Sequence, residues 1–110
     1  MPIVHIVLFE FSARTEHAKV VDACERMLAL SEKCIHPTTN KPYVKSHGGG
    51  RDTSPEGNQG AFTHGFVSEF ENEEDRKYYL EKDPAHLEIV ASLKEIVQNV
   101  RVVDFEPGKF

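Results

Sequence analysis

The sequence lacks the excess of basic residues that nucleic-acid binding requires. Its 110 residues include 13 lysines and arginines against 18 aspartates and glutamates, which gives a formal net charge of −5. Such a chain has no basic field to replace the counterions around phosphate groups. It also lacks the positive charge that attracts proteins to anionic membrane surfaces. We therefore expect neither nucleic acid nor a membrane among its partners.

The sequence also lacks a long hydrophobic run and is poor in cysteine. Its N-terminal segment, MPIVHIVLFEF, is too short to span a bilayer and has neither the charged start nor the cleavage site of a secretory signal. The two cysteines, Cys24 and Cys34, lie in one predicted helix, where ten positions correspond to about 15 Å, too far for a disulfide. Because free thiols are typical of a reducing compartment, we expect a cytoplasmic protein.

Motifs that bind metal or phosphate are absent as well. No two histidines or cysteines have the spacing of a zinc site, so a metal site would have to be assembled across strands, and we expect none. The run Gly48–Gly50 does not open a helix and matches no nucleotide-binding loop. We expect these glycines to form a β-bulge or to allow close approach of another backbone, with a mobile loop as the alternative.

The residues that are present predict one α+β domain over 1–110. With 39% hydrophobic and 28% charged residues, the composition is that of an ordinary globular domain. Alternation in IVHIVLFEF predicts a strand buried on both faces. The later apolar patterns and turn signals predict strands over 3–11, 43–47, 61–70 and 101–107, and helices over 15–35, 72–82 and 83–100. Asp83 and Pro84 predict the start of the last helix.

This order, βαββαβ with a broken second helix, is that of a ferredoxin-like fold, an antiparallel sheet with helices on one face. Two helical segments cover one sheet face only, yet the first and third strands are apolar on both faces, with aromatic residues among them. A monomer would expose a large apolar surface to water. We therefore predict a homodimer in which two sheets pack together and form a barrel-like interior.

Six histidines are the residues most suggestive of function. His86 lies on the apolar stripe of the last helix, just after Tyr78 and Tyr79, and His5 and His64 lie among apolar residues of two strands. Each of these histidines alone is typical of a half-buried imidazole that donates to a carbonyl. Their coincidence favours an apolar pocket with convergent polar groups, because unpaired buried imidazoles are costly. The predicted catalytic residues are His86, Tyr79 and His5, and the predicted substrate-binding residues are His64, Tyr78, Phe62, Phe66, Val7, Phe9 and His47.

The segments HIVLFEF, FTHGFVSEF and YYLEKDPAHL, in this order, resemble the stress-responsive A/B barrel (Dabb) family. The resemblance covers nearly the whole chain, and the Pro-x-His helix start is its most specific part. It implies a dimeric α/β barrel without an organic cofactor. It also implies similarity to members such as olivetolic acid cyclase, which closes a linear polyketide by aldol condensation. By this resemblance His86 is the base and His5 and Tyr79 line the pocket, with Tyr78 competing for the role of Tyr79.

These features together predict a cofactor-independent pocket protein that performs acid–base catalysis, by cyclisation or an aldol-type step. The expected ligand is a small, apolar, oxygenated molecule of polyketide type. One alternative is a non-catalytic stress-responsive dimer that binds hydrophobic ligands. Another is a cofactor-free monooxygenase of the same barrel architecture.

Overall fold

Four antiparallel strands and three helices make up the fold in the computed structural model, which describes residues 1–110. In chain order they are β1 (Ile3–Phe11), α1 (His17–Lys33), β2 (Lys45–Arg51), β3 (His64–Phe70), α2 (Glu73–Glu81), α3 (Pro84–Leu93) and β4 (Val97–Phe105). The strands form one sheet in the order β2-β3-β1-β4. This confirms the predicted ferredoxin-like α+β fold. None of the three helices is both long and apolar enough to cross a membrane.

Strand β1 is central and is buried most deeply on the face that the helices cover. Ile3, His5, Val7 and Phe9 are buried, whereas the residues between them are only partly buried. Alternation along a strand sends successive side chains to opposite faces, so this pattern assigns the odd-numbered side chains to the helical layer. The most deeply buried core residues therefore lie between β1, β3 and the helices.

The last helix is shorter than its sequence pattern predicts. The prediction of a helix to Val100 is wrong, because α3 ends at Leu93 and β4 begins at Val97. Valines are frequent in the segment VQNVRVVDF, and β-branched residues favour a strand when a partner edge is available. The edge of β1 provides that partner, with Phe9 opposite Val100 and His5 opposite Asp104.

Helix α1 is two residues shorter at each end than predicted, and its buried face is different. Ala23, Leu30 and Cys34 are buried, whereas Leu28 and Ile35, which the pattern placed on the inner face, are exposed. The inner stripe follows the spacing i, i+7, i+11, which is one face of a helix. The face predicted from the apolar spacing consists of Val20, Cys24, Met27, Leu28, Ser31 and Ile35. Cys24 and Met27 of this set pack against the core, so the predicted face is turned only partly away from the observed one.

Strand β2 extends through the glycines that were predicted to begin a loop. Its register shifts between Ser46 and Gly49, which is the expected bulge, and Gly48 has a φ of 96°, a conformation that side chains disfavour. A Cβ atom on Gly49 would lie 2.7 Å from the carbonyl oxygen of Gly65 and against the ring of Phe66. Gly49 therefore also permits the close approach of β3.

Gly49→Ala is expected to lower the free energy of unfolding by about 1–3 kcal/mol, because an added methyl group overpacks this contact. Gly50→Ala is the matched control, since a Cβ atom there meets nothing within 4 Å. Urea denaturation of the two variants measures the difference. Equal stability of both variants would contradict the close approach of β2 to Phe66.

The sheet face away from the helices is uncovered and aliphatic. It presents Val4, Ile6 and Leu8 of β1, together with Val103 and Phe105 of β4, and Val103 is 59% exposed. The prediction that aromatic residues of β3 add to this open face is wrong, because Phe66 and Phe70 are buried on the helical side of the sheet. The open face is nevertheless apolar on the strands that form its centre and one edge.

Candidate functional site

A cavity of about 450 Å³ lies between β1, β4 and α3. Eleven of the fifteen residues that line it are hydrophobic. Its polar end is formed by His5, Tyr79, His86 and Asp104. A mostly apolar cavity with a few convergent polar groups is the usual form of a small-molecule site.

His86 lies in the first turn of α3, and its imidazole has a defined orientation. Its Nδ1 atom is 2.8 Å from the carbonyl oxygen of Tyr79. This carbonyl is in the last turn of α2, where helices leave carbonyl oxygens without a partner. Because a carbonyl only accepts, Nδ1 carries the proton, and Nε2 of the neutral ring keeps its lone pair. The ring also stacks on that of Tyr79, with centroids 3.8 Å apart and planes at 25°.

Burial lowers the pKa of His86, and the neighbouring His5 lowers it further; the bond to the Tyr79 carbonyl and the charge of Asp83 oppose the change. A neutral imidazole in this position can accept a proton. His86 therefore has the protonation state and the orientation of a general base.

We expect His86 to titrate below its ordinary value of 6.5 and to make the protein less stable in acid. As the pH falls, the unfolded state, with a pKa of about 6.5, binds this proton before the folded state does. The contribution of His86 to the free energy of unfolding is therefore complete above about pH 6.5 and is lost as the pH falls toward the folded pKa. Imidazole NMR signals followed against pH measure the first effect, and urea denaturation against pH measures the second. His86→Gln should reduce the acid loss. A pKa of 6.5 or above would contradict the expectation.

His5 forms a part-buried hydrogen-bond network with two residues that the sequence pattern did not reveal. Its Nδ1 atom is 2.6 Å from Oδ1 of Asp104, and the other carboxylate oxygen accepts from Arg76 at 3.2 Å. His5 is 4% exposed. Asp104 could have been identified from its place opposite His5, but only with the register between β1 and β4 known. The carboxylate orients the imidazole.

Tyr79, not Tyr78, lines the cavity. Tyr79 is 2% exposed, and its pKa is raised by burial and by the electrostatic influence of the neighbouring Cys34 and Asp83 side chains. Tyr78 packs edge-on against Tyr43 instead, on the other side of α2. Consecutive helical residues point about 100° apart, so only one of the two tyrosines can face the sheet.

Two of the predicted substrate-binding residues, Val7 and Phe9, line the cavity. Phe66 lies in the core beside Phe9, with ring centroids 5.5 Å apart, and does not reach the cavity. Alternation correctly places Phe66 on the helical face. It lies outside the cavity because β3 is on the opposite side of β1 from β4.

Three further predicted residues also lie away from the cavity. His64 bonds to Thr63 at 2.8 Å, and His47 bonds to Glu69 at 3.0 Å. Phe62 precedes β3 and packs beneath the guanidinium of Arg101, 5.1 Å from the ring centroid. Of the ten predicted residues, those that line one cavity are His86, Tyr79, His5, Val7 and Phe9. No group of three or more His, Cys, Asp or Glu side chains is placed to hold a metal ion.

A second buried cluster lies outside the cavity and holds the start of α3, the helix that carries His86. Asp83, which is 1% exposed, caps α3 by accepting from the Ala85 amide at 2.9 Å. Its other oxygen accepts from the Tyr43 hydroxyl at 2.5 Å. Cys34 lies beside this carboxylate, and burial followed by the charge of Asp83 raises the pKa of its thiol to about 12. Cys34 is therefore an unreactive core residue.

Comparison with known proteins identifies the same architecture over almost the whole chain. The model of the stress responsive A/B barrel domain matches residues 3–107. A protein structure from Arabidopsis thaliana is 25% identical with a TM-score of 0.78, over 98% of this chain and 97% of that one. The hydroxynitrile lyase of Passiflora edulis is 19% identical with a TM-score of 0.80, over 99% and 96%. A dimeric ferredoxin-like protein from Thermobifida fusca is 21% identical with a TM-score of 0.72, over 96% and 90%. No curated protein matches the sequence.

Proposed function

The chain belongs to the stress-responsive A/B barrel domain family, and on that premise we propose that it is a cofactor-independent acid–base catalyst. Its substrate is an apolar, oxygenated molecule of polyketide type, and its reaction is a cyclisation or another aldol-type step. The observation that carries this proposal is the meeting of His86, His5 and Asp104 at one end of a largely apolar cavity. Burial there strengthens each electrostatic contact to a bound carbonyl group.

The reaction begins with proton removal by His86. Its Nε2 atom takes a proton from the carbon beside a carbonyl group, and the electron pair of that C–H bond forms an enolate. In its protonated form, held by Asp104, His5 donates from Nε2 to the enolate oxygen. Stabilisation of developing negative charge by a placed donor is a major source of catalysis.

Carbon–carbon bond formation follows at a second carbonyl of the same substrate. The enolate carbon attacks that carbonyl carbon, and the resulting alkoxide takes the proton that His86 received. His86 is thereby restored, and no oxidant or reductant is consumed. Tyr79 contributes by stacking on His86 and presenting its own carbonyl to Nδ1, which keep the imidazole in one orientation.

The likeness to a hydroxynitrile lyase supports the same type of chemistry. In hydroxynitrile cleavage a hydroxyl group loses its proton as the carbon–carbon bond to cyanide breaks. In an aldol step a carbonyl oxygen gains a proton as a carbon–carbon bond forms at its carbon. One base and one hydrogen-bond donor in a largely apolar cavity are sufficient for either reaction. The cavity of this chain supplies both groups from β1 and α3.

Deuterium exchange tests the proposal without knowledge of the natural substrate. The protein is incubated with decanone, an aliphatic methyl ketone, in deuterated buffer, and loss of the proton signals beside the carbonyl is followed by NMR. We expect exchange well above the rate of buffer alone. Binding of the ketone in the cavity without accelerated exchange would overturn the catalytic proposal and favour the non-catalytic alternative, a carrier of hydrophobic ligands.

We also propose that two copies pair through the open sheet face. The aliphatic surface formed by Val4, Ile6 and Val103 supports this pairing, as does the dimeric relative from Thermobifida fusca. Burial of such a face is favourable by about 25 cal/mol per Å² of apolar area.

Ile6→Lys is therefore expected to convert the protein to a monomer, since it places charge at the centre of the paired sheets. Light scattering after size exclusion should give twice the chain mass of 12.4 kDa for the native protein and the single mass for the variant. Leu87→Lys, on the outer side of α3 and 41% exposed, is the control and should stay dimeric. A native protein that is monomeric at micromolar concentration would contradict the pairing.

A further inference from the structure

The lining of the cavity is polar at both ends and apolar between them. Three ionisable side chains, His5, His86 and Asp104, lie at one end. Tyr79 adds its phenol at that end, and the cationic side chain of the lining, Lys94, directly follows α3. A ligand that fits the cavity along its length therefore contacts two different kinds of polar group.

Helix α3 and strand β4 fix the distance between the two ends. They run in opposite directions, so the start of α3 lies near Asp104 and its end lies near Val97. His86 and Lys94 are eight positions apart, which is about 12 Å along a helix. The sheet changes from polar to apolar in the same direction, since on the cavity face the pair His5 and Asp104 is followed by Val7 with Val102 and then by Phe9 with Val100.

Lys94 has no anionic partner within the chain. Arg26, a basic side chain that reaches α3 from α1, is already bonded to Asp22 at 3.1 Å and to Ser92 at 2.9 Å. The one carboxylate in the cavity lining, Asp104, is bonded to His5 and Arg76 at the opposite end. An anionic group on a ligand would therefore find an available cation only at the Lys94 end.

We infer that the cavity takes a chain-like carboxylic acid, with a carbonyl group between His86 and His5, an aliphatic body, and its carboxylate at Lys94. This inference rests on the proposed function and names the substrate class of the same site. The aliphatic body contacts Val7, Val102, Ile89 and Leu93, and the carboxylate replaces water around the Lys94 ammonium. These contacts of the ligand place the carbon beside its carbonyl group within reach of His86.

Two matched ketones test the inference by NMR titration. The first is oxodecanoate with its oxo group on the penultimate carbon, and the second is the corresponding decanone, with a methyl group in place of the carboxylate. We expect the ion pair between the carboxylate and Lys94 to lower the Kd of the acid about fivefold, which is the usual contribution of a partly exposed ion pair. Signals of both the His86 ring and the Lys94 side chain should shift with the acid, and added salt should weaken its binding.

Lys94→Gln should weaken oxodecanoate binding about fivefold and leave decanone binding unchanged. Lys33→Gln is the control, because Lys33 lies at the C-terminal end of α1, as Lys94 lies just after the end of α3, but does not line the cavity. If Lys94→Gln and Lys33→Gln bind the acid equally well, the carboxylate site is refuted while the pocket proposal stands. If neither ketone shifts the His86 signals, the pocket proposal itself fails, and this inference fails with it.

Discussion

Replacing His86 with glutamine is expected to slow deuterium exchange at a bound methyl ketone by roughly 10²–10⁴-fold, the usual contribution of a placed general base. Glutamine retains an N–H group that can donate to the Tyr79 carbonyl, so the end of α2 keeps its partner. It has no group that accepts a proton near neutral pH. The variant therefore removes the base and preserves the contact that His86 makes within the fold.

The pH dependence of exchange separates this role from a purely structural one. With native protein the rate should rise as His86 loses its proton and level off above its pKa, which lies below the ordinary value of 6.5. His64→Gln is the matched control, since His64 also has a pKa lowered by burial but lies outside the cavity. It should leave the rate unchanged. Exchange by His86→Gln within about threefold of native would remove His86 from the mechanism, since a placed base contributes far more.

The helical face of the central strand was predictable because one local rule determines it. Alternation in IVHIVLFEF places His5, Val7 and Phe9 on one side whatever the rest of the chain does. The start of α3 was equally local, because Asp83 and Pro84 satisfy the requirements of a helix N-terminus by themselves. Strand alternation thus accounts for the placement of His5, Val7 and Phe9 in the cavity lining. The helix-start signals account for the placement of His86.

The remaining part of the site depends on contacts that no local rule contains. Asp104 reaches His5 only through the register of β1 with β4, and the helical reading of VQNV concealed where β4 begins. In the sequence His64 lies among apolar residues as His5 does, yet β3 and β4 lie on opposite sides of β1. Strand order is set by tertiary packing, so face assignment alone could not show which strand borders the cavity.

A large loss of stability is expected for Asp83→Ala, a substitution of a buried polar residue outside the cavity. This change removes the cap of α3, worth about 1 kcal/mol, and the charged acceptor of the Tyr43 hydroxyl, worth about 1.5–3 kcal/mol. The combined loss of about 3 kcal/mol corresponds to a decrease in Tm of about 13 °C for a domain of this size. Calorimetry at constant protein concentration measures it, because pairing of copies makes Tm depend on concentration.

Asp83→Asn and Tyr43→Phe divide this loss between its two causes. Asparagine still offers an oxygen to the Ala85 amide, so the cap should survive and the decrease in Tm should be smaller than with alanine. Tyr43→Phe removes the hydroxyl that donates to Asp83 and leaves the cap intact, so it should account for the other part. Because Asp83 begins the helix that carries His86, loosening of this cap should also broaden the His86 imidazole signal. A decrease in Tm below about 3 °C for Asp83→Ala would show that the buried carboxylate contributes less than its two hydrogen bonds imply.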